Sequence, residues 1–435
     1  MNQTSRLARA AILLLTIALL PISARAEMPA LKISYSLATL APSIGSEAPA
    51  GNLWERVRAG FKLPESDPRL TRVHEQAFAK NPAHLQRIVE RSRYYLFHIV
   101  EEVDKRGMPM EIALLPIIES AFDPRAQSPM KASGIWQFIP STGRVYGLEQ
   151  NAWYDGRRDV LQATTAALDY LQYLHAMFGD WELALAAYNC GEGCVTRAQA
   201  RARGKRYTSI QLPSETRNYV PKLVAVRNII KNPERFGITL QDIADEAYFM
   251  QVTLNRPIEA RHAATLAEMG LDEFLALNPA FHRRVIYTDA RNVLLLPADR
   301  VETFQANLNR QDESKRLQTY AARRGESASS IASKFGVSIA WLKEHNPIKL
   351  YRGKVATPQT LVVPVVAKTA PAQPAKAAQA AAGKPSMRTH TVRKGDTLAR
   401  LAKRYKVKVA DIRRWNDNAD PLMPGSKLDI PVLPG

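Results

Sequence analysis

Two stretches near the C-terminus repeat one another, and the repeat forces that end of the chain to fold as small modules. In "HTVRKGDTLARLAKRYKVKVADIRRWN", from His390, and "QTYAARRGESASSIASKFGVSIAWLKEHN", from Gln318, Gly395 pairs with Gly325, Leu401 with Ile331, Tyr405 with Phe335, Val407 with Val337, Ile412 with Leu342 and Asn416 with Asn346, always 70 residues apart. Each copy spells a short strand, a Gly-containing turn, two short helices and a return strand closing on Pro364 or Pro431. That is a βααβ unit of about 45 residues, within the usual period of repeated modules. Between the copies, Lys368 to Ser386 is almost entirely Ala, Pro, Lys and Gln. Such a segment cannot bury a core and reads as an extended tether. A fainter third echo lies around Leu266 to Pro297, where "LALNP" and "LLLP" occupy corresponding places.

Upstream of the modules the pattern is helical. Leu85, Ile88, Leu96, Ile99 and Val103 recur at helical spacing between Pro82 and Arg106, with Gly107 as a stop. A second helix is expected from Thr164 to Phe178, ended by Gly179, and Asp180 is placed to cap a third from Trp181 to Asn189. The region from 80 to 235 is therefore expected to be predominantly helical, and 435 residues leave room for two to four domains.

The N-terminus implies export. Arg6 and Arg9 precede an uncharged run from Ala10 to Leu20, then Pro21 and the small-residue site Ala24-Arg25-Ala26. This is the pattern of a cleaved secretory signal, and 11 apolar residues fall short of the roughly 20 a spanning helix needs. No later segment is apolar enough to span a bilayer. The two cysteines, Cys190 and Cys194, lie far from the signal, so no lipidation cysteine is expected. The net charge of +19 implies attraction to a polyanion. For an exported chain that is the acidic cell envelope. A nucleic-acid partner is not expected, because no basic helix interleaved with aromatics appears.

The stretch most suggestive of chemistry is "LLPIIESAFDP" from Leu114 to Pro124. Glu119 is the single charge between Ile112 and Phe122, on a segment built for burial. A desolvated carboxyl holds its proton more tightly, as a general acid at neutral pH must. Alone, the same pattern also fits a core-edge Glu paired with an arginine.

Three further blocks follow in order: "SPMKASGIWQF" from Ser128, "LALAAYNCGEG" from Leu183 and "ETRNYVPKL" from Glu215. Together the four resemble the catalytic domain of the soluble-type lytic transglycosylases, and "YDGRRDV" from Tyr154 with "FGDWELALAAYN" is most similar to the membrane-bound murein transglycosylase D group. The C-terminal repeats resemble LysM domains, which bind chitin and peptidoglycan glycan; the first diverges, with Glu326 in place of the Asp. The resemblance implies a mainly α fold, a lysozyme-like helical catalytic domain followed by small α+β LysM modules. The expected organisation is a signal peptide over 1–26, an N-terminal extension over 27–80, the transglycosylase domain over 81–240, a connecting, degenerate LysM-like region over 241–316, LysM modules over 317–366 and 388–433, and the tether over 367–387.

Carried over residue by residue, the resemblance makes Glu119 the acid/base and Ser128 the serine that orients its carboxyl. Gln137, Tyr188, Asn189 and Tyr219 become residues lining or flanking the saccharide groove, while Trp136 is assigned to packing. Glycosidases usually place two carboxylates about the scissile bond. Asp123, Asp155, Asp159 and Glu192 stand outside the places where the resemblance expects one. With one carboxyl, the implied route uses the substrate's 2-acetamido group and 6-hydroxyl to form a 1,6-anhydro sugar, with no metal or other cofactor. Peptidoglycan glycan strands are then the partner and the periplasm the compartment. A hydrolytic muramidase on the same fold and a non-catalytic wall-binding scaffold are the competing readings. "CGEGC" leaves open either a strained disulfide or two structural thiols.

Overall fold

The computed structural model describes residues 51–288, 291–311, 316–365 and, within 386–432, all positions except 394, 408, 410–411, 414–415, 417–421 and 423. The expected signal and most of the expected tether lie outside them. The chain divides into two compact units between residues 366 and 367.

Among the described residues the first unit has, before its first strand, ten α-helices: α1 Leu53–Ala59, α2 Pro68–Ala79, α3 Pro82–Ser92, α4 Leu96–Lys105, α5 Leu115–Ser120, α6 Pro140–Val145, α7 Val160–Phe178, α8 Trp181–Cys190, α9 Glu192–Arg201 and α10 Ser214–Lys231. Helix α10 packs against α2 and α8, and α8 against α7. The helix expected across Pro82 to Arg106 is two. Ser92 Oγ donates back to the Val89 carbonyl at 2.8 Å, and Tyr95 turns inward so that its hydroxyl reaches the Ala276 carbonyl at 2.6 Å. Asp159 and Asp180 cap α7 and α8 through their carboxylates, and Gly179 ends α7 at φ 67°.

The helical core takes in residues that precede the expected start at 81. Leu53, Trp54 and Val57 are fully buried in the same core, and Trp54 Nε1 donates to the Gln241 carbonyl at 3.0 Å. The charged residues of α2, such as Arg69, Arg72 and Glu75, dilute its apolar face and hide it from a reading of periodicity.

After α10 the chain changes character. Strand β1 (Phe249–Thr253) pairs antiparallel with β4 (Val293–Pro297), and β2 (Ile258–Glu259) with β3 (Val285–Ile286). Between β1 and β4 lie α11 (Ala260–Leu266) and α12 (Leu271–Leu277), and α13 (Val301–Arg310) follows. The next module has β5 (Leu317–Ala322), α14 (Ala328–Lys334), α15 (Ile339–His345), the short pair β6 (Leu350–Tyr351) and β7 (Lys354–Val355), and β8 (Gln359–Pro364) closing on β5. In the second unit β9 (Ser386–Thr391) pairs with β10 (Lys427–Val432), and α16 (Leu398–Tyr405) lies between them in sequence.

One side-chain device relates all three. Asn278 donates to the Leu295 carbonyl and accepts from its N–H, both at 2.8 Å. Asn346 does the same with Val362 (2.9 and 2.6 Å), and Asn416 with Asp429 (2.8 and 2.7 Å). Each amide thus clasps the return strand to the helical layer and satisfies groups that would otherwise cost free energy if buried unpaired. The faint echo around Leu266 to Pro297 therefore carries the clasp of the two clearer repeats.

Candidate active site

The segment that delivers Glu119 runs through the core before it reaches the surface. Ile112 to Leu115 have no exposed surface, and Pro116 sits in the first turn of α5 where its missing N–H costs nothing. The helix then stops abruptly. Ala121 and Phe122 both adopt left-handed backbone, at φ 52° and 53°, and their N–H groups return to the Ile117 and Pro116 carbonyls. Left-handed backbone costs a non-glycine residue roughly 1–2 kcal/mol. Here it ends α5 one residue after Glu119, which sits part-exposed in the last turn.

Two carboxylates on this segment have opposite fates. Glu111 is fully buried and accepts from the backbone N–H groups of Lys62 and Leu63 at 3.1 and 3.0 Å. Glu119 accepts one side-chain hydrogen bond, from the Tyr219 hydroxyl. Burial pushes the Glu119 carboxyl up to about 7, the Tyr219 hydrogen bond and the Lys222 charge pull it back, and the Glu215 charge adds to the rise. A carboxyl poised there can give up a proton and take one back near neutral pH.

The surroundings come from α8 and α10. Tyr219 and Lys222 lie three apart on α10, hence on one face; Lys222 Nζ donates to the Ile118 carbonyl at 3.2 Å. Burial lowers Lys222 while the charges of Glu119 and Glu215 raise it. Tyr188, near the end of α8, donates to the Trp136 carbonyl at 2.8 Å, and the Glu119 charge adds to the burial that holds its phenol well above 10. Asn189 accepts from Thr216 Oγ1 at 2.8 Å, tying α8 to α10. Cys190 and Cys194 form a disulfide with Cα atoms 5.9 Å apart, so α8 is tied covalently to the first turn of α9.

Glu119, Tyr188 and Tyr219 are thus brought together, with Asn189 beside them on α8. Ser128 and Gln137 are engaged elsewhere. Ser128 Oγ accepts from the Ala132 N–H at 3.1 Å, closing its own turn, and Gln137 Nε2 donates to the carbonyls of Gly134 (2.7 Å) and Ala126 (3.3 Å). Both shape the loop after α5, and Tyr219, rather than Ser128, holds the Glu119 carboxyl. Gly134 is required there: at φ 82°, a Cβ would lie 2.1 Å from the Arg157 carbonyl oxygen. Trp136 is fully buried and donates to Thr164 Oγ1 at 3.0 Å, so its packing role is visible.

Among the carboxylates considered from sequence, Asp155 is ion-paired with Arg157 at 2.7 Å, Asp159 caps α7, and Glu192 accepts from Tyr170 at 2.9 Å. The carboxylate that acts on Glu119 is Glu215, four residues before Tyr219. Sequence reasoning missed Glu215 and Lys222, although their spacing from Tyr219 along one helix was a usable signal.

Comparison with known proteins assigns family matches along most of the chain. Residues 98–211 match the transglycosylase SLT domain family, residues 248–313 the LysM-like domain of lytic transglycosylase MltD, and residues 320–364 and 390–431 the LysM domain. The chain is 37% identical over 404 residues to membrane-bound lytic murein transglycosylase D of Escherichia coli K12, covering 88% of this chain and 86% of the relative. It is 33% identical over 120 residues to the soluble lytic murein transglycosylase of Salmonella typhimurium, covering 25% of this chain and 18% of that one. A solved structure of an inactive mutant of lytic transglycosylase Slt from Pseudomonas aeruginosa aligns at 26% identity over 34% of this chain and 26% of that chain, with a TM-score of 0.26. With a lysozyme-like helical domain, three clasped modules and similarity running along most of both chains, this protein belongs to the lytic murein transglycosylase D family.

Proposed function

We propose that Glu119 is the single acid/base of a peptidoglycan lytic transglycosylase that cuts the MurNAc-GlcNAc β-1,4 bond and leaves 1,6-anhydro-MurNAc ends. The observation that carries this assignment is the Glu119 carboxyl itself, desolvated on a half-buried residue, held by Tyr219 and pushed up to about 7. Protonated, it donates to the bridging oxygen as the bond to C1 breaks, and the substrate's 2-acetamido group stabilises the electron-poor C1. The resulting carboxylate takes the proton of the MurNAc 6-hydroxyl as O6 bonds to C1. The proton count closes and no water is consumed.

Tyr219 holds one carboxylate oxygen and the other has no hydrogen-bond partner among the described residues, Lys222 limits the rise in proton affinity, and Tyr188 with Asn189 forms the neighbouring groove wall. Ser128 and Gln137 act through the loop they brace. The three clasped modules, over about 248–313, 320–364 and 390–431, hold the enzyme on glycan. An envelope location, reached through the N-terminal signal, suits a wall substrate and a charge of +19; among the described residues no helix is long and apolar enough to cross a membrane.

The test is Glu119→Gln, which keeps the side chain's shape and its hydrogen bond to Tyr219 but cannot deliver a proton. Turnover of purified sacculi falls at least about a hundredfold while binding to them is retained. Activity near wild type would place the acid elsewhere.

A further inference from the structure

The first unit contains a second concave site that the reaction above does not use. Where α11, α12 and the loop after α12 meet the loop that follows α5, there is a cavity of about 410 Å³, within the usual size range for small-ligand sites. Its rim carries Arg125, Arg158, Arg261, His282, Arg283 and Arg284, against one carboxylate, Glu259. Its floor is apolar, formed by Leu271, Leu275 and Phe281.

The arginines are mostly uncommitted. Among the described residues, the side chains of Arg125, Arg261 and Arg283 form no hydrogen bond or ion pair. Arg158 uses Nε on Ser133 Oγ at 2.8 Å, which leaves its outer nitrogens without a protein partner among the described residues, and Arg284 meets the exposed Glu344 at 3.1 Å. Burial lowers His282 below its ordinary value, against the Asp155 charge, and Arg158, Arg283 and Arg157 lower it further. Five like charges around one concavity repel one another, and an anion relieves that repulsion. Arginine forks match carboxylates bidentately.

The walls are fixed in place. Asp155 N–H donates to the Ala280 carbonyl and His282 N–H to the Trp153 carbonyl, both at 2.9 Å, and Trp153 stacks on Tyr287 at 4.8 Å. The cavity is also tied to the active site by one loop. The loop that accepts Ser120 Oγ at Ile135 and the Tyr188 hydroxyl at Trp136 also supplies Arg125 and, at Ser133, the anchor of Arg158. Arg125 follows Glu119 by six residues, at most about 21 Å of extended chain. A peptide of four or five residues spans about 15 Å when extended.

We propose that this cavity binds carboxylates of the peptide stem borne by the MurNAc residue undergoing cleavage, so that the enzyme selects peptide-bearing strands over naked glycan. The inference rests on the peptidoglycan reading of the Glu119 site. The pocket's two chemistries favour such a stem: arginines for the carboxylates of an acidic peptide and an apolar floor for the methylenes that carry them. A simple phosphate would use the rim and leave the floor idle.

The test is Arg261→Gln/Arg283→Gln, which alters two side chains without protein partners, compared with wild type on stem-bearing strands and on the same strands freed of peptide by an amidase. Wild type prefers the stem-bearing strands in kcat/KM, and the double variant brings that ratio about tenfold closer to one, as expected for losing charge-assisted hydrogen bonds. A ratio equal in the two proteins overturns the proposal. A second readout does not depend on turnover: in the Glu119→Gln background, titration with the free stem tripeptide raises the His282 pKa by NMR, and the added arginine substitutions abolish that response. Inorganic phosphate producing the same response at the same concentration, or no response to tripeptide, also overturns it. If wild type cuts neither strand while the tripeptide still binds, the reaction assignment fails and the pocket assignment stands.

Discussion

Tyr219 donates its hydroxyl hydrogen to Glu119 Oε1 across 100 residues of sequence, joining the last turn of α5 to the second turn of α10. That bond stabilises the charged carboxylate, opposing the burial that pushes Glu119 up to about 7. Burial and the Glu119 charge hold the phenol well above 10, so it stays a donor throughout the working range of pH.

Tyr219→Phe therefore raises the proton affinity of Glu119. In the proposed reaction bond cleavage needs the protonated acid, so wild-type activity is expected to decline as pH rises through about 7. In the variant this alkaline limb moves to higher pH, and the plateau rate falls about ten- to a hundredfold because the carboxyl loses its fixed orientation. Lys222→Met removes the other group pulling the carboxyl down and moves the limb the same way. A pH-rate profile of kcat/KM on soluble glycan checks both; a limb that stays put or moves down contradicts the assigned electrostatics.

The same burial has a stability consequence. The folded value of about 7 lies above the ordinary 4.5, so the unfolded chain releases this proton first, and Glu119 weakens the fold progressively between those values. Its full cost is reached above pH 7 and is at most about 3 kcal/mol. Glu119→Gln accordingly raises Tm by a few degrees at pH 7.5 and by much less at pH 5. Thermal scans at the two pH values measure this. A variant less stable than wild type at pH 7.5 would mean that the carboxylate is not held against its solvation.

How much of this was legible depends on what each residue's neighbours look like in sequence. Glu119 stood out because an apolar run makes one charge conspicuous, and Tyr188 and Tyr219 followed from their blocks. Lys222 and Glu215 stand at helical spacing from Tyr219, but α10 carries many charges and only the fold shows which of them face α5. Ser128 was assigned to the carboxyl, yet its hydroxyl closes a turn; a serine's partner depends on loop geometry that spacing does not encode. The cysteine pair became a disulfide because the turn at Gly191 and the start of α9 bring the Cα atoms within bridging reach. The third module was faint because its apolar pattern has drifted, while the Asn278 clasp and the backbone it serves remain.

Deletion of residues 368–435 removes the module that forms the second compact unit. Binding to insoluble sacculi weakens, because a tethered site raises the local concentration of the catalytic domain. Turnover of short soluble glycans stays near wild type, because the proposed site draws its residues from α5, α8 and α10, all outside the deletion. Extending the deletion through the module over 317–366 weakens binding further. A sacculus pull-down beside a soluble-substrate assay reads both effects. Unchanged binding in the first truncation would show that the positive charge of the remainder suffices without the module.

The central claim is that one carboxyl and the substrate's own hydroxyl complete the reaction. Its most direct test is mass spectrometry of the muropeptides released when the wild-type enzyme digests purified sacculi. The account predicts that the new ends are 1,6-anhydro-MurNAc, lighter by one water than the hydrolytic product. Reducing MurNAc ends as the main product would contradict it and make the enzyme a muramidase.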